Sequence, residues 1–412
     1  MTPHPPQPLG PVVLVGGGLA AGTCAVTLRE LGYDGEVVLL AAEPHLPYER
    51  PPLSKGYLLG DAELDSVYVR SGAWYDEHHV DVRVGSPATA VDLDAHTVST
   101  AEGPVRYARL LLATGAAPRR LAMADDSGAP VRYLRDIEDS RRIKAELRPG
   151  ARVVVVGGGW IGLEVAAAAR AAGCEVVVLE ALEQPLVRVL GDRLGRMFAD
   201  LHREHGVDVR TGVSVTSFAP EGEGTAVGLG DGSSLTADLV LVGIGATPGT
   251  GLAAAAGLKV EDGIVVDEYL RTSHPDVLAA GDVASAYHPR LGRHLRVEHW
   301  DNAIEQGRAA ARTLLGDEQP YEHQPYFFTD QYDLGMEYVG NVGPDGFGEL
   351  VVRGDLASRV FTAFWVKADR VLAGMQANDW DATDAIRRLV AADHVDLARL
   401  RDAGVPLDEV AG

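Results

Sequence analysis

The regular pattern of the chain begins with a short apolar run, continues through clustered glycines, and then shows small and apolar residues at helical spacing. It predicts a strand over 12–16, a helix over about 20–31 and a second strand over 36–41, which together form a βαβ unit. Residues 1–10, which precede this unit, are rich in proline and are predicted to be a disordered lead-in.

The turn between the first strand and its helix carries Gly16, Gly18 and Ala21. In a dinucleotide loop the first position permits a tight turn and the second lets the backbone approach a pyrophosphate. The third lets the helix pack closely on the strand. Free N–H groups at the start of the helix would hold the phosphates. The stretch indicates a dinucleotide-binding loop, although one such loop alone is a weak signal.

The same pattern returns later in the chain, where Gly157, Gly159 and Gly162 match the three small residues of the first loop. A strand over 152–156 precedes them, and a helix and a strand over 175–180 follow. Two loops in one chain indicate two dinucleotides, and the usual pair is FAD and a nicotinamide.

Two further apolar strands, over 109–112 and 238–242, end in turns of small residues that are predicted to carry the chain between domains. From about residue 323, aromatic residues and strand-like runs predict an antiparallel sheet, with a terminal helix around 384–392. The predicted fold class is α/β, with two Rossmann-like dinucleotide-binding domains and a C-terminal α+β domain.

Composition narrows the class of protein. With 412 residues the chain is predicted to hold two to three domains, and its 46% hydrophobic and 23% charged residues are ordinary for a globular protein. A formal net charge of −22 argues against a general nucleic-acid binder. Residues 5–28 carry no charge, but no basic region precedes them and their glycine spacing is that of a nucleotide loop. No other segment reaches the roughly 18 apolar residues that a membrane span needs. The protein is therefore predicted to be cytoplasmic.

The cysteines and histidines exclude two kinds of site. Cys24 and Cys174 are the only cysteines and form no Cys-x-x-Cys pair, so they are predicted to be small buried residues. A dithiol that relays electrons is thereby excluded. The 13 histidines show no metal-ligand spacing, and no metal site is predicted. His202 and His205 are expected to lie on a solvated helix face.

Three acidic residues follow strands, where a carboxylate can bind the hydroxyls of a ribose or a ribityl chain. Glu180 ends the second strand of the second unit and favours NADH, because a carboxylate there repels the 2′-phosphate of NADPH. Glu43 lies near the matching position of the first unit and is assigned to the FAD ribose. Asp282, after Gly281, is assigned to the ribityl chain. The alternatives are a solvated strand end for Glu180, a loop charge for Glu43 and an ordinary turn at Asp282.

Lys55 and Glu164 are the candidates for catalysis. Glu164 lies one turn into the helix of the second loop, on an otherwise apolar run, where a buried carboxylate needs a partner. Lys55 follows Pro51 and Pro52, which are predicted to form a rigid extended segment that aims Arg50 and Lys55 at a ligand. A Lys–Glu pair would place the nicotinamide and hold positive charge near the flavin N5. The alternative is a surface ion pair.

Trp300 and Asn302 lie at the start of a predicted helix. They would bring an aromatic plane and backbone N–H groups against a flavin ring. The alternative for Trp300 is an ordinary core residue.

Several of these segments resemble one family. The run over 43–55, with its Pro-Pro-Leu-Ser-Lys element, is similar to that of the FAD-containing ferredoxin reductases of bacterial oxygenase systems. This is the type of putidaredoxin reductase, biphenyl dioxygenase reductase and rubredoxin reductase. Residues 133–135, 157–164, 243–248 and 281–283 resemble the same family, so the likeness covers nearly the whole chain.

The resemblance implies a glutathione-reductase-like fold with an FAD-binding domain over 1–118 and 244–322. An NADH-binding domain over 119–243 interrupts it, and a C-terminal α+β interface domain over 323–412 follows. By this resemblance FAD is contacted by Ala20, Lys55, Ala88, Arg135, Asp282 and Trp300, and NADH by Glu164 and Glu180. The residues predicted to bind the two cofactors further include Gly16, Gly18, Leu19, Ala21, Glu43, Arg50, Ala113, Thr114, Gly115, Gly157, Gly159, Ile161, Gly162, Gly245, Gly281, Glu298 and His299.

The resemblance predicts an NADH-dependent ferredoxin reductase. Hydride passes from NADH to FAD, and single electrons pass to a ferredoxin that serves an oxygenase such as a cytochrome P450. Two alternatives are an NADH oxidase or quinone reductase on the same fold, and a flavoprotein that senses NADH by binding. Ferredoxins are acidic, as this chain is, so docking needs a local basic patch, and Arg290, Arg293 and Arg296 are the best candidates. The protein is predicted to be a monomer or a weak homodimer.

Overall fold

The structure is a computed structural model that describes residues 10–410, so the predicted lead-in lies outside the described residues except for Gly10. The chain divides into two compact units. Unit 1 comprises Met1–Pro51, Glu63–Ala117 and Ala246–His323, and unit 2 comprises Pro52–Ala62, Pro118–Gly245 and Gln324–Gly412. Within residues 10–410, no helix combines the length and the apolar character that crossing a membrane requires.

Unit 1 is built around a sheet of five parallel strands that holds the first glycine loop. The two strands of the predicted βαβ unit are buried at every residue, as expected for a parallel sheet covered on both faces. The strand Val277–Ala279, which is the last of this sheet in the sequence, pairs with Arg109–Leu112. Most of unit 2 lies between these two strands in the sequence. The strand order is Val277–Ala279, Arg109–Leu112, Val12–Val15, Val37–Leu40 and Val80–Arg83.

Two smaller sheets and four helices complete unit 1. One sheet is an antiparallel meander of Ala90–Asp92, Thr97–Thr100 and Gly103–Arg106. The other is mixed, in the order Val260–Glu261, Gly263–Val266, Ala284–His288 and Arg293–Leu295. The strands Ala116–Pro118 and Ala246–Pro248 pair where the chain leaves and re-enters this unit. The α-helices are Leu19–Glu30, Gly72–Glu77, Gly251–Ala255 and Trp300–Leu314, and the 3₁₀ helices are Leu64–Val67, Gly281–Val283 and Pro289–Leu291.

The helix of the first loop packs closely against the helix Trp300–Leu314. At their contact, a Cβ atom on Gly307 would lie 2.6 Å from the carbonyl oxygen of Ala20, so only glycine permits this approach. The neighbouring Gln306 accepts the backbone N–H of Gly281 at 2.8 Å. The late helix therefore fixes both the start of the loop helix and the turn that carries Asp282.

Unit 2 contains a second sheet of five parallel strands, which holds the second glycine loop. Its order is Asp208–Thr211, Glu175–Glu180, Arg152–Val156, Leu239–Val242 and Val131–Arg132. A three-stranded antiparallel sheet is formed by Val215–Glu221, Gly224–Leu229 and Ser234–Ala237. The helices of this part are Gly56–Leu59, Ala122–Asp125, Ile137–Glu146, Trp160–Ala171, Val187–Leu190 and Asp192–Glu204.

The predicted C-terminal antiparallel sheet is present and belongs to unit 2. One of its faces shares a buried apolar cluster with the second loop's helix and the helix Asp192–Glu204. Its other face is covered by Thr383–Ala391, the predicted terminal helix. The strand order is Tyr326–Gln331, Leu334–Gly340, Arg370–Ala377, Val360–Lys367 and Glu349–Asp355, and the remaining helical segments are Trp380–Ala382, Leu397–Arg401 and Leu407–Glu409.

The segment around the two adjacent prolines differs from the prediction. Pro51–Ser54 is a 3₁₀ helix rather than an extended segment, and Lys55 links it to the short helix Gly56–Leu59. The reason is that the proline φ angle also suits a first helical turn, where no N–H donor is needed. From Pro52 onward this segment groups with unit 2, where it carries Lys55.

Candidate active site

The first glycine loop has the geometry that a bound pyrophosphate requires. Gly16 has a φ of +137°, and a Cβ atom there would lie 2.1 Å from the carbonyl oxygen of Ala113. Gly18 precedes the helix Leu19–Glu30, and a Cβ atom on it would meet nothing within 4 Å. The space beside Gly18 is thus kept open at a helix N-terminus, and the loop fits the phosphates of FAD.

The second loop meets the same constraints. A Cβ atom on Gly157, whose φ is +106°, would lie 2.3 Å from the carbonyl oxygen of Gly243. A Cβ atom on Gly162 would lie 2.2 Å from the carbonyl oxygen of Gly157, so the helix can approach its strand only with glycine at this position. Gly159 faces open space, with its nearest neighbour 3.9 Å from the position of a Cβ. This loop fits a second dinucleotide.

Glu180 is anchored beside the second loop and is not a freely solvated strand end. Its Oε2 accepts the backbone N–H of Gly158 at 2.7 Å, and its Oε1 accepts that of Leu182 at 2.8 Å. Because each carboxylate oxygen can accept a second hydrogen bond, the group remains able to bind ribose hydroxyls.

Glu43 belongs to a small polar cluster in unit 1. The hydroxyl of Tyr48 donates to Glu43 Oε2 at 2.6 Å, and Arg50 donates to Glu43 Oε1 at 3.0 Å. Arg50 also donates to the Tyr48 hydroxyl at 2.8 Å, and the Tyr48 side chain is fully buried. Glu43 and Arg50, both predicted to bind FAD, are therefore oriented by one another.

Trp300 is the first residue of its helix and is half-buried. Its indole N–H donates to Glu49 Oε2 at 3.0 Å, which fixes the plane of the ring. Asn302 is buried and instead stabilises the local chain, since it donates to the Val297 carbonyl at 2.9 Å and accepts the Tyr321 hydroxyl at 3.1 Å.

Lys55 and Glu164 form the predicted pair. Lys55 Nζ lies 2.7 Å from Glu164 Oε1, and the two side chains are 19% and 5% exposed, so the pair is not a surface ion pair. Ser54 donates to Glu164 Oε2 at 2.5 Å, and Thr329 donates to Glu164 Oε1 at 2.7 Å. The Lys55 ammonium also lies 5.7 Å from the centre of the Phe328 ring. Nothing in the sequence near Glu164 indicated Thr329, which comes from the C-terminal sheet.

The remaining predicted cofactor residues are placed as follows. Thr114 donates to the Gly249 carbonyl at 2.7 Å, and Gly115 has a φ of +65°. In unit 2, the Arg135 N–H donates to Asp139 at the start of Ile137–Glu146. Ala20, Ala21, Ala113 and Gly281 are buried, Leu19, Ala88 and His299 are half-buried, and Ile161, Gly245 and Glu298 are exposed.

The three arginines predicted to contact a ferredoxin differ in their exposure and in their ion pairs. Arg296 is only 13% exposed and is bound by Asp262 at 2.8 Å and by Glu298, so most of its charge is neutralised within unit 1. Arg290 is exposed on the 3₁₀ helix Pro289–Leu291, and Arg293 begins the strand that follows. A docking patch would consist mainly of these two residues.

The prediction for His202 is wrong. The side chain is fully buried, because residues of the C-terminal sheet cover this face of the helix Asp192–Glu204. The structure also brings together His96, His274 and Asp276, whose ligand atoms lie within 4.8 Å of one another. Arg109 binds the same Asp276 carboxylate and opposes a cation there.

The comparisons with known proteins agree with this geometry. Residues 10–307 match the family described as pyridine nucleotide-disulphide oxidoreductase, and residues 326–411 match the one described as reductase C-terminal. The chain belongs to the pyridine nucleotide-disulphide oxidoreductases. The predicted fold class and the predicted cofactors, FAD and NAD, are confirmed.

The chain is similar to individual members of the family over nearly its whole length. It is 39% identical over 407 residues to putidaredoxin reductase of Pseudomonas putida, with 97% of this chain and 96% of that protein covered. It is 40% identical over 384 residues to the ferredoxin–NAD(+) reductase component of the anthranilate 1,2-dioxygenase system of Burkholderia cepacia, covering 93% and 94%. The resemblance to ferredoxin reductases of oxygenase systems is confirmed.

Solved structures agree with the curated relatives. Putidaredoxin reductase in its covalent complex with putidaredoxin matches with a TM-score of 0.93 and 38% identity, covering 97% of each chain. The ferredoxin reductase of the CYP199A2 system from Rhodopseudomonas palustris matches with a TM-score of 0.92 and 36% identity, covering 98% of this chain and 100% of that one. Both cysteines of this member of the family, Cys24 and Cys174, are buried and free, as predicted.

Proposed function

We propose that this chain is an NADH-dependent ferredoxin reductase that feeds an oxygenase such as a cytochrome P450. When bound, FAD supplies the redox chemistry, because a flavin accepts hydride from NADH and releases electrons singly to a one-electron carrier. The observation that carries the proposal is a chain with two dinucleotide loops and a buried Lys–Glu pair, but with no two cysteines that could form a redox dithiol.

The two loops divide the cofactors between them. We assign FAD to the loop at Gly16 and Gly18, with Glu43, Asp282 and Trp300 as further contacts. We assign NADH to the loop at Gly157 and Gly159, with Glu180 on its ribose. The support for the second assignment is that the Glu180 carboxylate already points at the loop through Gly158 and would repel a 2′-phosphate.

Lys55 and Glu164 are assigned to the reacting end of the site. The ammonium of Lys55 would hold a positive charge beside a bound flavin, which would stabilise the negative charge of the reduced ring. Glu164 keeps that ammonium in one position, since it is itself held by Ser54 and Thr329. The same carboxylate is available to orient the nicotinamide.

The ferredoxin partner is expected to be acidic and to dock on a basic surface. We place its contact at Arg290 and Arg293, with Arg296 holding the loop between them and Glu298. We further propose that the protein acts in the cytoplasm as a monomer or weak homodimer.

Stopped-flow reduction by NADH, followed by cytochrome c reduction with and without added ferredoxin, tests this function. A ferredoxin reductase shows rapid bleaching of the flavin band and a cytochrome c rate that rises with ferredoxin concentration. A rate that ignores ferredoxin but follows oxygen or quinone would instead identify an oxidase or quinone reductase. Slow bleaching accompanied by a change in oligomeric state would identify an NADH sensor.

A further inference from the structure

A continuous series of hydrogen bonds runs from Glu164 into the interior of unit 2. Thr329 Oγ1 donates to Glu164 Oε1 at 2.7 Å, and Gln331 Nε2 donates to Thr329 Oγ1 at 3.1 Å. Gln331 Oε1 lies 2.8 Å from Nε2 of His202, and the Tyr332 hydroxyl lies 3.3 Å from His202 Nδ1. Five residues from two helices, a strand and its following turn are thus linked.

The direction of every bond in this series is determined by its end at Glu164. Because Thr329 gives its only proton to the carboxylate, its oxygen must accept from the amide of Gln331. The amide oxygen of Gln331 then accepts from the Nε2–H of His202, whose Nδ1 accepts from Tyr332. Burial lowers the pKa of His202 to about 4, so its ring is neutral and supplies one donor and one acceptor.

The series is buried from Glu164 to His202 and is packed in place. Thr329 and Gln331 are each 1% exposed and His202 is not exposed at all. Strand alternation puts Phe327 on the same inward face, where its ring lies 5.0 Å from that of Trp160, four residues before Glu164. The strand Tyr326–Gln331 therefore packs against the helix that carries Glu164.

We propose that Thr329, Gln331 and His202 are positioning residues for hydride transfer, which orient the Glu164 carboxylate and through it the ammonium of Lys55. This inference rests on the proposed function only in placing Lys55 at the flavin. It gives the C-terminal sheet a role in the reduction of the flavin, in addition to any role in partner docking.

The Glu164 carboxylate is oriented by the donors that share it. Ser54, Lys55 and Thr329 all donate to it, and each donor restricts its rotation. Without Gln331 the Thr329 hydroxyl loses the donor that directs its proton to Glu164, and it becomes free to rotate. A displacement of Lys55 by about 1 Å is enough to slow a reaction by up to about 100-fold.

The test compares buried polar residues inside and outside the series. Gln331→Met and His202→Leu interrupt it, whereas His202→Gln retains a donor near the Nε2 position. Thr329→Val removes the donor to Glu164 without changing volume, and Thr329→Ser keeps it. Gln376→Met is the matched control, because Gln376 is equally buried in the same sheet but donates to Glu337 at 3.0 Å.

Two measurements on the FAD-loaded protein are informative. The chain has four lysines, so Lys55 can be assigned among 13Cε-lysine resonances by comparison with Lys55→Arg. We expect the Lys55 resonance to shift or broaden in Gln331→Met, His202→Leu and Thr329→Val. In stopped flow the limiting rate of flavin reduction should fall at least about tenfold, with the NADH dissociation constant changed less than about twofold. The two conservative variants should recover most of both properties.

Three outcomes would overturn the inference: an unchanged Lys55 resonance in all interrupted variants, a reduction rate equal to that of the wild type, or the same losses in Gln376→Met. If Gln331→Met or His202→Leu is poorly folded by circular dichroism, the Thr329→Val and Thr329→Ser comparison decides. A wild-type protein that passes its electrons to oxygen and ignores ferredoxin would refute the proposed partner but would leave the Lys55 measurements as the test of the positioning residues.

Discussion

The Glu180 carboxylate and the backbone N–H of Gly158 are joined by a hydrogen bond of 2.7 Å, so the acid that ends the strand Glu175–Glu180 is bonded to the second loop. A substrate that reaches this loop meets a fixed negative charge. We propose that this charge discriminates between NADH and NADPH, and this leads to the first prediction.

Glu180→Arg should raise the KM for NADH at least about tenfold and lower the KM for NADPH, because the guanidinium pairs with a 2′-phosphate and cannot accept ribose hydroxyls. Steady-state kinetics with both cofactors measure the change. Glu175→Arg, at the exposed start of the same strand, is the matched control and should leave both KM values within about twofold. Equal losses with the two cofactors in Glu180→Arg would argue against a ribose contact.

Gly18→Ala should fold normally but retain little FAD, since the added methyl group enters open space in the protein and occupies the place assigned to the pyrophosphate. The ratio of flavin absorbance to protein absorbance measures the loss, and thermal unfolding of the apoprotein checks the fold. Gly251→Ala has equally open surroundings away from the loop and should retain FAD fully. Full FAD content in Gly18→Ala would contradict the assignment of this loop to FAD.

Lys55→Met should lower the free energy of unfolding by about 2 kcal/mol, because it leaves the Glu164 carboxylate buried without its cation. The double variant with Glu164→Gln should recover part of this loss, whereas Lys259→Met, which breaks an exposed pair with Glu261, should cost less than about 1 kcal/mol. Denaturant unfolding of all four proteins provides the comparison. A double variant less stable than Lys55→Met would contradict the argument.

The stability of the protein should fall as the pH decreases from 6.5 towards 4, in part because of His202. Burial lowers the pKa of this ring from 6.5 to about 4 in the folded protein. In this range the unfolded chain binds a proton that the folded protein does not, so unfolding is favoured by up to roughly 3 kcal/mol at the lower end. Comparing unfolding of the wild type and His202→Gln at pH 7.5 and pH 4.5 isolates this contribution, since the variant lacks the titrating ring. Parallel pH profiles would show that His202 contributes nothing.

Reversing the charge of Arg290 and Arg293 to Glu should raise the KM for an acidic ferredoxin about tenfold, with the larger effect at low ionic strength. The rate of flavin reduction by NADH should be unaffected. Arg106→Glu reverses one charge at an exposed position of unit 1 and serves as the control for each single reversal, Arg290→Glu and Arg293→Glu. An unchanged KM in the double reversal would place the ferredoxin elsewhere.

Much of the site could be predicted because its signals are local. The spacing of Gly157, Gly159 and Gly162 is contained in one turn, and the need for glycine there follows from backbone contacts that any such turn makes. The pairing of Lys55 with Glu164 could also be predicted, since a carboxylate on an apolar helix needs a cation and Lys55 follows a conformationally restricted proline pair.

What the sequence did not indicate depends on partners that are distant in the chain. His202 lies on a helix whose own sequence pattern does not show that Gln331 covers it. The charge of Arg296 is neutralised by Asp262, which is 34 residues earlier in the chain. The two prolines before Lys55 allow both an extended segment and a helical turn, and packing within unit 2 selects the turn. Tertiary contacts decide each of these cases.

The late arrival of the strand Val277–Ala279 and the helix that follows it has a consequence for synthesis on the ribosome. The part of unit 1 that we assign to FAD includes Gly281 and the close contact of Gly307 with Ala20, so it is not assembled until about residue 314 has left the exit tunnel. The parallel sheet of unit 2 is by then fully translated, since Leu239–Val242 is the last of its strands in the sequence. This sheet can therefore form before the five-stranded sheet of unit 1 is complete.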